Sequence, residues 1–162
     1  MNRILALWPL AVILVAYGLD RLSKWWAAAF LAQHGPTDLT SWLSMQIAYN
    51  RGIAFGLLQG VGPLVGWLTI IVLLLLAVFM FSLSQEQWVL KLGLAILIGG
   101  AAGNMWDRIV HGRVLDFLVS PIRPGIFNIA DVLIYVGIGL CLLSAFLPAP
   151  VVATLPAEAP LD

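Results

Sequence analysis

Gly62-Pro63-Leu64-Val65-Gly66-Trp67-Leu68-Thr69-Ile70-Ile71-Val72-Leu73-Leu74-Leu75-Leu76-Ala77-Val78-Phe79-Met80-Phe81-Ser82-Leu83 contains no charged residue, and the uncharged interval around it runs from 52 to 85. A helix rises about 1.5 Å per residue, so a run of this length crosses the roughly 30 Å of a bilayer's hydrocarbon. Three further intervals, 4 to 19, 92 to 106 and 132 to 157, are equally free of charge. They predict four membrane helices near residues 4–22, 62–83, 88–106 and 129–147. Composition agrees: 62% of the chain is hydrophobic, and eight basic and eight acidic residues are its only formal charges, far below the usual share in a soluble domain.

Balanced charge also excludes a nucleic-acid partner, which needs a basic surplus. The single cysteine, Cys141, allows no internal disulfide, and no Cys/His spacing suits zinc. A cleavable leader is the rival reading of the first apolar run. It is disfavoured because Leu19-Asp20-Arg21-Leu22-Ser23-Lys24-Trp25-Trp26 has no small-x-small cleavage pattern and ends in an interfacial Trp pair. The Pro/Ala-rich tail, 148–162, reads as disordered, and the whole chain as one domain.

Alternate connections share a side of the membrane. Residues 84 to 87 form a short turn on one side, while the long connections 23 to 61 and 107 to 128 share the other and hold nearly all the polar side chains. Within the first, Leu43, Met45, Ile47 and Tyr49 alternate with smaller or polar residues, which is strand periodicity. Asn50-Arg51-Gly52 offers turn chemistry, and residues 53 to 57 are the expected returning strand. The expected architecture is an all-α membrane protein of four transmembrane helices, with a small β element lying on the outer membrane face. The charge rule for loops points the other way, because Arg21, Lys24, Arg51, Arg108, Arg113 and Arg123 fall on the polar side and only Arg3 and Lys91 opposite.

Three aspartates stand near span ends on the polar side, where charge is costly enough to suggest function. Asp107 precedes Arg108, and an ion pair closing the third helix accounts for it; Arg108 could also grip a carboxylate or a lipid phosphate. Asp116 sits among apolar neighbours in Val114-Leu115-Asp116-Phe117-Leu118, and a loop carboxylate paired to Arg113, Arg123 or Arg108 explains it as well as catalysis does. Asp131 follows Asn128 by three residues, the spacing of a helix cap. Two carboxylates held close share one proton, which supplies a base for water and an acid for a carbonyl, the chemistry of aspartic proteases. Asn50, Asn104 and Asn128 could orient such a pair. Asp20 and Lys24, one turn apart, read as an exposed interfacial bridge. His34 and His111 read as loop residues, and Ser23, Ser41, Ser44 and Ser120 lack a triad context.

Four segments together carry a family resemblance: Asp20-x-x-Ser23-Lys24; Asn50-Arg51-Gly52-Ile53-Ala54-Phe55-Gly56; Gly103-Asn104-x-x-Asp107-Arg108 with Gly112-x-Val114-x-Asp116-Phe117; and Phe127-Asn128-x-Ala130-Asp131. In this order and on these spans, they resemble the bacterial lipoprotein signal peptidases, also called signal peptidase II. The resemblance implies an intramembrane aspartic endopeptidase of the cytoplasmic (inner) membrane. Its termini would be cytoplasmic and its site toward the outer leaflet, against the charge count. The catalytic pair maps to Asp116 and Asp131. Asp20, Lys24, Asn50, Arg51, Gly52, Asn104, Asp107, Arg108, Asn128 and Ala130 would support the site or bind substrate. The implied substrate is a diacylglyceryl-modified prolipoprotein cut just before its lipidated cysteine. No metal or cofactor is expected, the partners are substrate and membrane lipids, and the chain is expected to act as a monomer. Two rivals deserve weighing. One is a metal-dependent lipid phosphatase holding Mg²⁺ on Asp107, Asp116, Asp131 and His111; the other is a proton-coupled transporter.

Overall fold

A computed structural model describes residues 7–52 and 60–147. Four helices run Trp8–His34 (α1), Gly62–Ser82 (α2), Trp88–His111 (α3) and Ile129–Ser144 (α4). Strands run Thr37–Thr40 (β1), Leu43–Asn50 (β2), Val114–Ser120 (β3) and Arg123–Phe127 (β4), forming one antiparallel sheet in the order β1-β2-β3-β4.

The first helix departs from its expected bounds. It continues through Asp20, Arg21 and Lys24 as far as His34, so residues 23 to 34, read above as loop, are helical. The charges do not end it, because each finds a partner on another helix. Ser-Lys-Trp-Trp-Ala-Ala-Ala favours continuation, and the helix stops where Gly35 adopts a left-handed φ of 69°. Its 27 residues extend about 40 Å, well beyond the hydrocarbon thickness.

The added turns give the sheet a seat. Ala27 and Leu31 of α1 pack on Met45, Phe117 and Leu118 of the two central strands. The strand expected over residues 43–50 is present, but it pairs with β1 and β3; its expected partner at 53–57 lies outside the described residues. The sheet is therefore larger than the single hairpin anticipated. Two causes hid β3 and β4. Val114–Ser120 is buried on both faces, so polar and apolar residues do not alternate along it. Arg123–Phe127 contains Pro124 and Gly125, which argue against a strand except at a sheet edge, where β4 lies.

Helix α3 is central and packs against α1, α2 and α4. Glycine permits the close crossing of α3 and α4: a Cβ on Gly93 would come within 2.8 Å of the Gly137 carbonyl oxygen, and one on Gly137 within 2.7 Å of the Gly93 carbonyl oxygen. Helix α2 buries only Gly62, Gly66, Leu73 and Met80, a single stripe at heptad spacing. Its remaining surface, with Leu68, Ile71, Leu75 and Val78 exposed, joins a wide apolar face that water would not tolerate and lipid would. Helices α2 and α3 are long and apolar enough to cross a membrane, whereas α4, at 16 residues, is shorter than the expected 129–147 span.

Candidate active site

Asp20 and Lys24 lie four residues apart on α1, and both point inward rather than to an exposed interface, at 0% and 2% exposure. The Lys24 Nζ reaches Asp20 Oδ2 at 2.8 Å, Asp107 Oδ2 at 2.8 Å and Asn104 Oδ1 at 2.9 Å. One ammonium with three donors thus serves two carboxylates and an amide. Asp107 does not pair with its neighbour Arg108: its partners are Lys24 and Arg21, eighty-odd residues away in sequence. Gly103 makes the room, since a Cβ there would land on the Asp20 carboxylate. The other Asp20 oxygen accepts the backbone N–H of Ala130 at 3.1 Å, tying α1 to the first turn of α4.

From Lys24 the network runs toward the second pair of acids. Because lysine can only donate, Asn104 must turn its carbonyl to Lys24 and its amide nitrogen away, and Nδ2 donates to Asp131 Oδ1 at 2.9 Å. Asn128, fully buried, caps α4 by accepting the Asp131 N–H at 3.0 Å. Its own amide nitrogen donates to Asn104 Oδ1 at 3.0 Å and to Asp116 Oδ1 at 2.6 Å. Asn50 is oriented the same way: its Oδ1 accepts the Gly52 N–H at 2.9 Å, and its side chain hydrogen-bonds Asp116. Arg108 donates to the carbonyl oxygens of Asn104 and Gly52, both at 3.3 Å, which fastens the chain after β2 to α3.

Asp116 and Asp131 line one cavity of about 190 Å³ together with Asn50, Asn104, Arg123 and Tyr135. Asp116, on β3, is 4% exposed. Burial, then the negative charge of Asp131, push its carboxyl up to about 6, against the opposing hydrogen bond from Asn128. Asp116 forms none of the ion pairs found among the described residues, so the pairing with Arg113, Arg123 or Arg108 that could have explained it does not occur there. Arg123 instead reaches Asp131 Oδ2 at 3.3 Å and Tyr135 Oη at 3.4 Å. Sequence reading offered Arg123 only as one of three alternative partners of Asp116, and it overlooked Tyr135, although Tyr135 stands one helical turn beyond Asp131 on the same face.

Strand alternation separates this cavity from a larger one. Ala48 pairs with Asp116, Tyr49 with Leu115 and Asn50 with Val114. Asn50, Val114 and Asp116 face the acid cavity, while Tyr49, Arg51, Arg113 and Leu115 line a cavity of about 540 Å³ with Arg21, Lys24, Asp107 and His111. Arg51 is therefore held away from the acid pair, on the other side of the sheet. His111 also belongs to the larger cavity. Among the described residues, no three of His, Cys, Asp and Glu gather as metal ligands, so the Mg²⁺ set considered for a lipid phosphatase is not assembled.

A helix bundle with a lipid-compatible exterior, with the buried carboxylate of Asp116 and the partly exposed one of Asp131 lining one small cavity beside a sheet, is the framework of a membrane-embedded hydrolase. Solved structures agree in shape: one described as a bacterial membrane enzyme structure by the in meso method at 2.3 Å superposes with a TM-score of 0.75 and 26% identity, covering 85% of this chain and 86% of that one. A second bacterial membrane enzyme structure gives 0.73 at 26% identity, over 85% and 92%. The family model described as signal peptidase (SPase) II matches residues 12–147. The lipoprotein signal peptidase of Yersinia pestis (strain Pestoides F) is 35% identical, with 87% of this chain and 86% of that protein covered. That of Teredinibacter turnerae is 33% identical over 86% and 88%. The chain belongs to the signal peptidase II family, a family of peptidases, and is an integral membrane protein; the phosphatase alternative finds no support.

Proposed function

We propose that this protein is an aspartic endopeptidase that removes the signal peptide from diacylglyceryl-modified prolipoproteins by hydrolysing the bond before the lipidated cysteine. Family membership supports the reaction class, and the observation that carries the chemistry is the shared cavity of Asp116 and Asp131. Asp116 holds the proton common to the pair, and Asp131, set against Arg123, is the base. Asp131 takes a proton from water as the water oxygen attacks the scissile carbonyl, while Asp116 gives its proton to the carbonyl oxygen. Collapse of the tetrahedral species breaks the C–N bond as the proton gained by Asp131 passes to the leaving amine and a hydroxyl proton returns to Asp116, which restores the starting pair. Lys24, Asp20, Asp107, Asn104 and Asn128 position the two acids, and no covalent intermediate forms.

All four helices span the bacterial inner membrane in this reading, with both termini cytoplasmic and the sheet on the outer face. The exposed apolar faces and the Trp25, Trp26 and Trp42 side chains around the sheet support that placement. The arginines concentrated on the sheet side are retained for site and sheet contacts in spite of the charge rule. The protein acts as a monomer on a substrate that diffuses to it laterally through the bilayer.

Purified protein should cleave a diacylglyceryl-modified precursor, leave the unmodified precursor intact and be indifferent to EDTA. Equal cleavage of both precursors would remove the lipid requirement. The protonation scheme gives a further expectation. Asp116 is raised above the ordinary 3.8, so its proton persists to about pH 6 and is lost above it. The carbonyl then loses its proton donor. Log kcat/KM should therefore fall with a slope of −1 as pH rises beyond about 6, and a profile that stays flat through that region would contradict the assignment.

A further inference from the structure

The acid chemistry leaves the larger cavity unused. It is roomy, at about 540 Å³, and four basic side chains line it, Arg21, Lys24, Arg51 and Arg113, against one carboxylate, Asp107. Asp107 is already answered by Arg21 and Lys24. Arg51 and Arg113 form no ion pair with a carboxylate among the described residues, and the sequence from 53 to 59 holds no acid that could supply one. Arg113 lies over the Tyr49 ring with its guanidinium carbon 3.8 Å from the centroid. That stacking fixes the plane of the fork and leaves its in-plane N–H groups to donate. Trp25, 73% exposed at the rim, and the apolar outer face of α1 with Leu22 and Trp26 place the opening beside the lipid-facing surface.

We propose that this cavity is an anion site, distinct from the acid cavity across the sheet, that binds a phosphate group through Arg113, Arg51 and Arg21. The shared chemistry is a phosphate oxyanion, offered either by the headgroup of an anionic phospholipid or by free phosphate. Planar arginine forks suit its tetrahedral oxygens, and the surplus of positive charge makes the cavity incomplete without an anion. Lys24 joins the two cavities: it lines this one and bonds Asn104 in the other, so an anion here bears on the positioning of Asp131 through Asn104.

The test uses the full-length protein in nanodiscs of phosphatidylcholine with an increasing fraction of phosphatidylglycerol, and retained lipid is read by native mass spectrometry. A parallel arm titrates inorganic phosphate into phosphatidylcholine discs and follows it by ³¹P NMR. Expected is preferential retention of phosphatidylglycerol, weakened about tenfold by Arg113→Gln, the scale of one charge-assisted hydrogen bond lost, and weakened less by Arg113→Lys. Phosphate binding sensitive to Arg113→Gln without lipid preference would support the same site with a soluble source. Thermal melting of each variant separates loss of binding from loss of fold, and Arg51→Gln gives a second reading if Arg113→Gln does not fold. Equal retention of both lipids with no phosphate binding would overturn the proposal. So would retention of an acidic peptide with neither phosphate source bound.

Discussion

Asparagine at position 116 or at position 131 is expected to lower kcat/KM for the lipidated precursor at least about 1000-fold, and the double variant should be little worse than either single one. That lack of additivity distinguishes two groups working as one unit from two independent contributors. The carboxamides keep most of the surrounding contacts. At 116 an amide oxygen can still accept from Asn128, and at 131 from Asn104, although Arg123 loses its charged partner. The variants should therefore fold, with helical circular dichroism and detergent melting close to the parent. Processing that continues at the parental rate after either change would end the proposed mechanism.

Lys24→Met should be the most damaging change to the fold, at about 3–5 kcal/mol, the range for removing one partner of a buried ion pair. Asn104 keeps Asn128 and Asp107 keeps Arg21, but the Asp20 oxygen facing Lys24 loses its donor and, with Asp20 showing no exposure at all, has no water to turn to. Unfolding in mixed micelles would measure the loss. The companion variant Asp20→Asn removes the stranded charge, so Asp20→Asn/Lys24→Met should be less destabilised than the sum of the two single changes. Simple additivity would show that the pair is not coupled as the geometry indicates.

These residues also mark how far the sequence could be read. Long uncharged runs located the four helices, because an apolar stretch of helical length leaves a signal in composition alone. Charge was a poor guide to where a helix ends: Asp20 and Lys24 lie in mid-helix because their distant partners come from other helices, Ala130 of α4 for Asp20 and Asn104 and Asp107 of α3 for Lys24, and nothing in spacing announces partners so far away in sequence. The same blindness put Asp107 with Arg108. Alternation revealed the strand over 43–50, half exposed, and hid the one over 114–120, which is covered on both sides. The four motif segments contain most of the polar residues gathered around the two acids, but not Arg123 or Tyr135. Which of them share a cavity was invisible until strand register sorted even from odd positions, sending Asp116 to one side of the sheet and Arg51 with Arg113 to the other.

The direction of the amides around the acids carries one more consequence. Lys24 obliges Asn104 to show its nitrogen to Asp131, the α4 cap obliges Asn128 to show its nitrogen to Asp116, and the Gly52 N–H obliges Asn50 to do likewise. Every asparagine neighbour is a giver of hydrogen and none is a receiver. An acidic hydrogen on Asp116 accordingly has no amide carbonyl on these three residues in which to hide; its natural destinations are the facing carboxylate or the oxygen of an incoming peptide. A lysine, a helix cap and a backbone N–H, one for each asparagine, thereby set the polarity of the shell together, and in the proposed mechanism they steer the mobile hydrogen toward the place where it is consumed.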